Sequence, residues 1–231
     1  MKTIGMIGGM SWESTALYYR IINREVQTRL GGVHSARALM VSFDFAEMAA
    51  LQRDGKWREA DDRMATAAVT LEKAGADFLI ICCNTMHCST DAIESAARIP
   101  LLHIADPLGK TIEQSGLTRP ALLGSQHTME REDILLGRLK SQYGLSVLTP
   151  KGADAAFVDR VIFEELVRGQ FEDATRKTCA DIIGRLVEQG ADSVIMGCTE
   201  IPLLLTPEDS AVPMFDTARL HALAAVDLAL A

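Results

Sequence analysis

Cys83 and Cys198 each follow the same short pattern of residues. The first copy runs Gly75-Ala76-Asp77-Phe78-Leu79-Ile80-Ile81-Cys82-Cys83-Asn84-Thr85, and the second runs Gly190-Ala191-Asp192-Ser193-Val194-Ile195-Met196-Gly197-Cys198-Thr199-Glu200. The two align without a gap. A lone cysteine at a strand end is usually core, and that reading suffices for Cys82, Cys88 and Cys179. Cys83 and Cys198 differ because the position is duplicated and because Asn84, Thr85, Thr199 and Glu200 are polar where a core would be apolar. Each thiol is placed at the C-terminal end of a parallel strand, where open α/β sheets bind ligands. A helix start beyond it favours the thiolate. Cys82 and Cys83 are neighbours on an extended segment, so their side chains point to opposite faces and only one reaches a cleft.

Spacing separates the thiol chemistries. A thioredoxin-like pair needs Cys-x-x-Cys, which the chain lacks. A phosphatase loop would need an arginine six residues after the thiol, and those positions are Ser89 and Leu204. Cys82, Cys83, His87 and Cys88 resemble a ligand run, but a structural zinc site wants a second ligand pair from a separate element, and only Cys198 is offered. No metal is expected. A cysteine hydrolase needs an imidazole base, and the spacing of His34, His87, His103, His127 and His221 ties none of them to either thiol. Two thiols across a small polar cleft suit one reaction without a cofactor. One thiolate removes a proton from a carbon, the other thiol delivers a proton to the opposite face, and the stereocentre inverts.

The elements that must position these thiols alternate strand and helix. Strands are expected over Lys2–Ile7, Ala38–Asp44, Phe78–Cys82 and Ile99–Ile104, then over Arg119–Ser125, Ser146–Thr149, Ser193–Met196 and Val212–Phe215. Between them fall a helix from Trp12 through Val26, a helical turn over Phe45–Gln52, and helices over Trp57–Lys73, Asn84–Ala97, Pro107–Glu113, Thr128–Tyr143, Val158–Gly169, Phe171–Gln189 and Arg219–Leu230. The fold class is α/β, with two pseudo-symmetric lobes, each a mainly parallel sheet flanked by helices, and the active site in the cleft between them. The lobes are read as 1–110, completed by 211–231, and 111–210. Gly8-Gly9-Met10-Ser11 opens the first βα unit but matches neither a dinucleotide fingerprint nor a phosphate-binding loop.

The chain has 231 residues, enough for such a fold, and a formal charge of -8 that argues against nucleic-acid or anionic-membrane partners. No run is long enough to span a membrane. The opening residues read as a first strand rather than a signal peptide. Five cysteines at irregular spacing then point to reduced thiols in the cytoplasm.

With these residues in view, the chain resembles the cofactor-independent aspartate/glutamate racemase family, and its branch of bacterial amino-acid racemases most of all. The resemblance rests on Gly8-Gly9-Met10-Ser11-Trp12-Glu13-Ser14-Thr15, Cys83-Asn84-Thr85-Met86-His87, His103-Ile104-Ala105-Asp106, Gly197-Cys198-Thr199-Glu200 and Phe215-Asp216-Thr217. It implies an amino-acid substrate, no pyridoxal phosphate, no metal and a homodimer. By position, Cys83 and Cys198 become the catalytic pair. Met10 and Ser11 line the first turn of the pocket. Asn84, Thr85 and Thr199 hold the α-carboxylate and α-amino group, Thr128 lines the second half, and Gln52 reaches the substrate side chain. Helix capping is the ordinary alternative for Thr85, Thr128 and Thr199, and solvation for Gln52. Relatives acting on acidic amino acids often carry a lysine just before the helix beginning at Val158, where this chain has Phe157. Phenylalanine cannot pair with a side-chain carboxylate, so Lys151, Arg53 or Arg160 would have to replace that cation, or the side-chain preference is broader. A dicarboxylate isomerase or decarboxylase on the same scaffold, and a non-catalytic amino-acid-binding protein, are the other readings.

Overall fold

The computed structural model describes all 231 residues. They divide into two compact units, one of Met1–Ile104 with Ala218–Ala231 and one of Ala105–Thr217. In chain order the first contains β1 (Ile4–Gly8), α1 (Trp12–Leu30), β2 (Ala38–Ser42), α2 (Phe45–Arg53), α3 (Trp57–Lys73) and β3 (Phe78–Ile81). A 3-10 turn over Thr85–Ser89 then precedes α4 (Thr90–Ala96). The second contains α5 (Ala105–Gln114), β4 (Pro120–Leu123), α6 (Gln126–Glu130), a π-helical turn over Glu132–Leu136, and α7 (Gly137–Tyr143). It continues through α8 (Gly152–Glu164), α9 (Asp173–Glu188), β5 (Ser193–Met196), α10 (Ile201–Leu204) and β6 (Met214–Asp216). The chain ends in α11 (Thr217–Leu230), which from Ala218 onward belongs to the first unit. No helix is long and apolar enough to cross a membrane.

Each unit holds a parallel three-stranded sheet flanked by helices, in the orders β2-β1-β3 and β4-β5-β6. Strands β1, β3, β4 and β5 are buried along their whole length, as expected of parallel strands covered on both faces. In the first unit, side-chain alternation sends Ile4, Met6, Phe78, Ile80 and Cys82 into a core with Tyr18, Ile22 and Val26 of α1 and the alanine face of α11. Ile7, Leu79 and Ile81 face the other way, onto Met48 and Leu51 of α2 and Met64, Ala68 and Leu71 of α3. The 3.6-residue spacing of these apolar positions along α1 and α3 is what the sequence periodicity reported.

The internal repeat recurs at atomic detail. In the first copy Ala76 N–H donates to Leu71 O, Asp77 N–H to Thr3 O, and the Asp77 carboxylate accepts from Thr3 N–H at 2.6 Å. In the second, Ala191 N–H donates to Leu186 O, Asp192 N–H to Arg119 O, and the Asp192 carboxylate accepts from the Thr118 and Arg119 amides at 2.7 and 2.8 Å. Gly75 and Gly190 end α3 and α9 with φ of 98° and 96°, a region open to glycine.

Several expected elements differ. The strand over Ile99–Ile104 reduces to one bridge, Leu101 to Leu79. Pro100 has no N–H to donate, and Ile104 N–H is drawn off to the His87 ring. The strand over Ser146–Thr149 likewise reduces to a bridge between Leu148 and Ala121. The helix over Thr128–Tyr143 is three pieces, because Arg131 is extended at φ -87°, ψ 127° and the chain restarts as a π turn. A Cβ at Gly137 would lie 2.7 Å from Glu132 O, so a glycine is needed where that wide turn closes. Asn84 makes no side-chain cap, and the expected helix opens as the 3-10 turn. α8 begins at Gly152, not Val158, so Phe157 lies inside it. The stretch 211–231, read as one piece completing the first lobe, divides. β6 pairs with β5 in the second sheet, and the chain passes to the first unit only at Ala218.

Candidate active site

In the first unit, the loop after β3 carries Cys83, Asn84 and Thr85. Cys82 faces the α1/α11 core and is fully buried, and burial pushes its thiol well above the ordinary range. Cys83 points to the other face, half-buried beside the α2/α3 cluster. Asn84 is 4% exposed. Two fixed groups shape the loop from behind. Ser14 Oγ donates to Cys82 O at 2.8 Å. The fully buried His87 ring places Nδ1 2.8 Å from Cys83 O and 3.3 Å from Asn84 O. Carbonyl oxygens only accept, so Nδ1 carries the hydrogen, and Nε2 accepts from Ile104 N–H at 3.2 Å. The imidazole is therefore neutral with both nitrogens occupied. Burial, then the neighbouring His103 and His221 rings, hold its pKa well below 6.5. His221 is wired by the same logic, donating from Nε2 to Leu102 O at 2.8 Å and accepting from Tyr18 Oη at 2.9 Å.

The β1 turn supplies Met10, buried, and Ser11, the N-cap of α1, whose Oγ accepts from Ser14 N–H. Thr15 Oγ1 accepts from Gly9 N–H at 2.8 Å and donates to Ser11 O at 2.9 Å, closing the turn. A Cβ at Gly9 would lie 2.2 Å from Phe43 O, so only glycine fits there. Gln52, at the end of α2, directs Nε2 to Met86 Sδ at 3.2 Å, which brings it to the Cys83 loop.

In the second unit, Gly197 N–H donates to Leu123 O at 2.7 Å, and a Cβ there would lie 2.6 Å from Leu122 Cδ1. Glycine thus lets the β5 end lie against β4 and sets the start of the Cys198 loop. Cys198 is half-buried, and its Sγ donates to Glu200 Oε2 at 3.0 Å. Thr199 Oγ1 donates to the same oxygen at 2.6 Å. Thr199 and Glu200 are each 7% exposed. Thr128, fully buried, lies with its Oγ1 3.0 Å from Ser125 Oγ, the N-cap of α6. Thr217 Oγ1 donates to Met196 O at 3.0 Å, fixing the strand end from the β6 side.

Each unit therefore gathers its expected residues at the C-terminal ends of its own parallel strands. The family model for Asp/Glu/Hydantoin racemase matches residues 7–225. The chain belongs to that family. A crystal structure of a candidate Asp/Glu racemase from Yersinia pestis is 45% identical, with a TM-score of 0.94 and all of both chains covered. An aspartate racemase homologue from Pyrococcus horikoshii is 30% identical, with a TM-score of 0.84 and full coverage of both. The broad specificity amino-acid racemase of Bacillus subtilis is 28% identical over 166 residues, covering 71% of this chain and 70% of that protein.

Two residues of this racemase-family chain were not singled out for the site by sequence. The sequence offers His87 as a ligand or base, whereas in the structure it bonds main chain. Its i, i+4 spacing from Cys83 was the available signal. Glu200 reads in sequence as a polar neighbour of Cys198, and in the structure its carboxylate touches that thiol. The run Cys82, Cys83, His87, Cys88 does not gather as a ligand set. The three cations named as carboxylate partners are engaged locally. Lys151 donates to Thr149 Oγ1 at 2.8 Å, and Arg53 lies 3.4 Å from Asp54. Arg160 lies over the Phe157 ring at 5.1 Å and within 3.7 Å of Glu164 and Glu165.

Proposed function

We propose that the protein is an amino-acid racemase in which Cys83 and Cys198 exchange protons with the substrate α-carbon. One thiolate takes the Cα proton, leaving a carbanion. The other thiol gives its proton to the opposite face, so the product is the enantiomer and the two thiols have exchanged protonation states. The reaction requires the two thiols on opposite sides of one Cα. The observation that carries the reading is the equivalence of the two positions. Each thiol lies two residues past a buried strand, in a repeat whose main-chain hydrogen bonds at the Gly-Ala-Asp turn match, within a racemase-family chain. Met10, Ser11, Gln52, Asn84 and Thr85 in one unit, and Thr128 and Thr199 in the other, hold the substrate. Their amide, hydroxyl and main-chain groups suit a zwitterion's carboxylate and ammonium.

The substrate side chain in this reading is not restricted to acids. The local engagement of Lys151, Arg53 and Arg160 and the apolar Phe157 support it, as does the likeness to a broad specificity racemase. The active species is a homodimer in the cytoplasm, and five free cysteines suit that reducing compartment.

The test is α-proton exchange followed by NMR in deuterium oxide. Both enantiomers of acidic, neutral and basic amino acids are offered to the unmodified protein, Cys83→Ala and Cys198→Ala. Loss of the α-proton signal with appearance of the opposite enantiomer, lost by about a thousandfold or more in each variant, is the expected result. No exchange with any amino acid would sink the reading.

A further inference from the structure

The first sheet has an edge that its own chain leaves open. β2 is the outer strand of the order β2-β1-β3, and no other strand or bridge pairs with its far side. Ile4 N–H donates to Arg37 O at 2.9 Å and Phe43 N–H to Gly8 O at 3.0 Å, so the odd-numbered residues turn their main chain toward β1. Main-chain groups alternate sides along a strand, which points the N–H and C=O of Ala38, Met40 and Ser42 outward. Met40 is 43% exposed, and Ser42 is exposed as well. The stretch Ala38-Leu39-Met40-Val41-Ser42 has no proline, glycine or charge, the usual devices that keep an open edge from pairing.

Apolar surface and charge lie along the same edge. A groove of about 370 Å³ is lined by Val41 and Phe43 and by Asp62, Arg63, Ala67 and Thr70 of α3. Val33, in the turn that leads into β2, is 97% exposed. Arg37 stands just before β2, and Asp44 and Glu47 stand just after it, with Glu47 paired to Arg63 at the groove. The edge is therefore basic where it begins and acidic where it ends.

We propose that β2 is the surface on which a second copy of this chain docks, strand against strand and antiparallel, joining two three-stranded sheets into one of six strands. The proposal rests on the homodimer reading and names its surface; it is independent of the cysteine chemistry. With the two-fold axis at Met40, Ala38 pairs with the partner's Ser42, and Met40 with the partner's Met40. Every outward N–H and C=O of β2 then finds a partner. Ala38 packs on the α1 and α11 cluster and Leu39 and Val41 on the α2 and α3 cluster, so by alternation the two Met40 side chains meet on the α1 face. The same register brings Arg37 to the acidic end of the partner's edge and the Val33 turn to the end where the partner's groove lies. A parallel pairing would set Arg37 beside the partner's Arg37 and acid beside acid. This self-complementary charge favours a second, antiparallel copy over an unrelated strand as the occupant.

The experiment is sedimentation velocity of the full-length protein over a wide concentration range, with variants placed on the edge. The unmodified protein is expected to sediment as two chains. Met40→Lys leaves the β1 ladder intact and sets two ammonium groups together on the two-fold axis, and it is expected to weaken the dimer about a hundredfold or more. Arg37→Glu, outside the strand, is expected to weaken it about tenfold, a difference that shrinks in high salt. Met40→Cys treated with dibromobimane is expected to give a cross-link between the two copies of that position, identified in the peptides by mass spectrometry. A two-chain species that keeps its affinity in Met40→Lys and Arg37→Glu and gives no such cross-link overturns this surface alone, and leaves the homodimer to another face, such as that of the exposed Trp12 and Tyr19 on α1. A single-chain species at every concentration overturns the surface and the homodimer reading together, and leaves the edge to a strand of another protein. Neither result bears on α-proton exchange, so the racemase reading stands or falls separately.

Discussion

The loops after β3 and β5 begin alike and are wired differently. Both follow a buried strand whose preceding Gly-Ala-Asp turn makes matching main-chain bonds. Beyond the thiols the copies diverge: Thr85 corresponds to Glu200, and His87 to Pro202. In the first loop an imidazole grips the main chain behind the thiol, bonding Cys83 O, Asn84 O and Ile104 N–H. In the second, Pro202 has no polar side chain for such a grip, and the Glu200 carboxylate accepts from the Cys198 sulfur. Duplication kept what places a thiol at a strand end. What changed is the side chain beyond it, an imidazole held against main chain in one copy and a carboxylate touching the sulfur in the other.

The strongest way to break this comparison is to remove the brace. His87→Ala would take the ring's hydrogen bonds from the Ile104 amide and the Cys83 carbonyl, while Asn84 O keeps the residue-87 N–H, and would open a ring-sized cavity. We expect a loss of about 3 kcal/mol in urea unfolding. Amino-acid turnover should fall with it, through kcat more than KM, because the Cys83 main chain is no longer held. Pro202→Ala, the matching change in the second loop, should cost less than about 0.5 kcal/mol, since it removes no hydrogen bond. Equal losses from the two variants would show that the asymmetry does not lie in the imidazole.

Much of this was legible in residue order, and the part that was not has a common cause. The buried strands Phe78–Ile81 and Ser193–Met196 and the helix Trp57–Lys73 lie where apolar runs and 3.6-residue periodicity place them. The opposite facing of Cys82 and Cys83 follows from strand alternation alone. What local pattern could not give was decided by groups far apart in sequence. Ile104 leaves its strand because His87, seventeen residues earlier, takes its amide. The π turn before Gly137 depends on how Glu132 O meets a residue lacking Cβ. In the candidate site, the thiols and their polar neighbours were readable as a motif. The roles of His87 and Glu200 were not, because a histidine or glutamate in a motif does not declare whether it serves main chain, sulfur or solvent.

A smaller effect sharpens the first-loop side. His87 is bonded as a neutral ring with its pKa held below 6.5, so the unfolded chain binds the proton more readily than the folded one. Its contribution to stability is fully present above about pH 6.5 and is lost as pH falls below that value. Urea unfolding at about pH 7.5 and about pH 5.5 should show a loss of about 1 kcal/mol attributable to this ring. The loss should shrink in His87→Asn, which carries no titrating group. An identical pH dependence in the two proteins would assign the loss to other groups.

The smallest expected difference concerns the turns that the two copies share. Asp192 accepts from the Thr118 and Arg119 amides and from Ser193 Oγ, whereas Asp77 accepts from Thr3 N–H. The Thr3 and Arg119 amides are equivalent, and the difference lies one residue earlier. In the first copy Lys2 N–H is already used by Ala229 O at the end of α11, whereas in the second the Thr118 amide turns to the carboxylate. Burial pushes the Asp192 carboxyl up, but the hydrogen bonds from the Thr118 and Arg119 amides, with that from Ser193, together outweigh it and hold its pKa below the ordinary carboxylate value. Asp192→Ala should therefore cost about 2 kcal/mol and Asp77→Ala less, measured by chemical unfolding near neutral pH. The Asp192 contribution should fade as pH drops through and below the ordinary carboxylate range, since only the ionised group accepts from both amides. A larger loss from Asp77→Ala would mean that the first turn carries more than its single amide bond, and that the two copies are more alike in their turns than in their thiols.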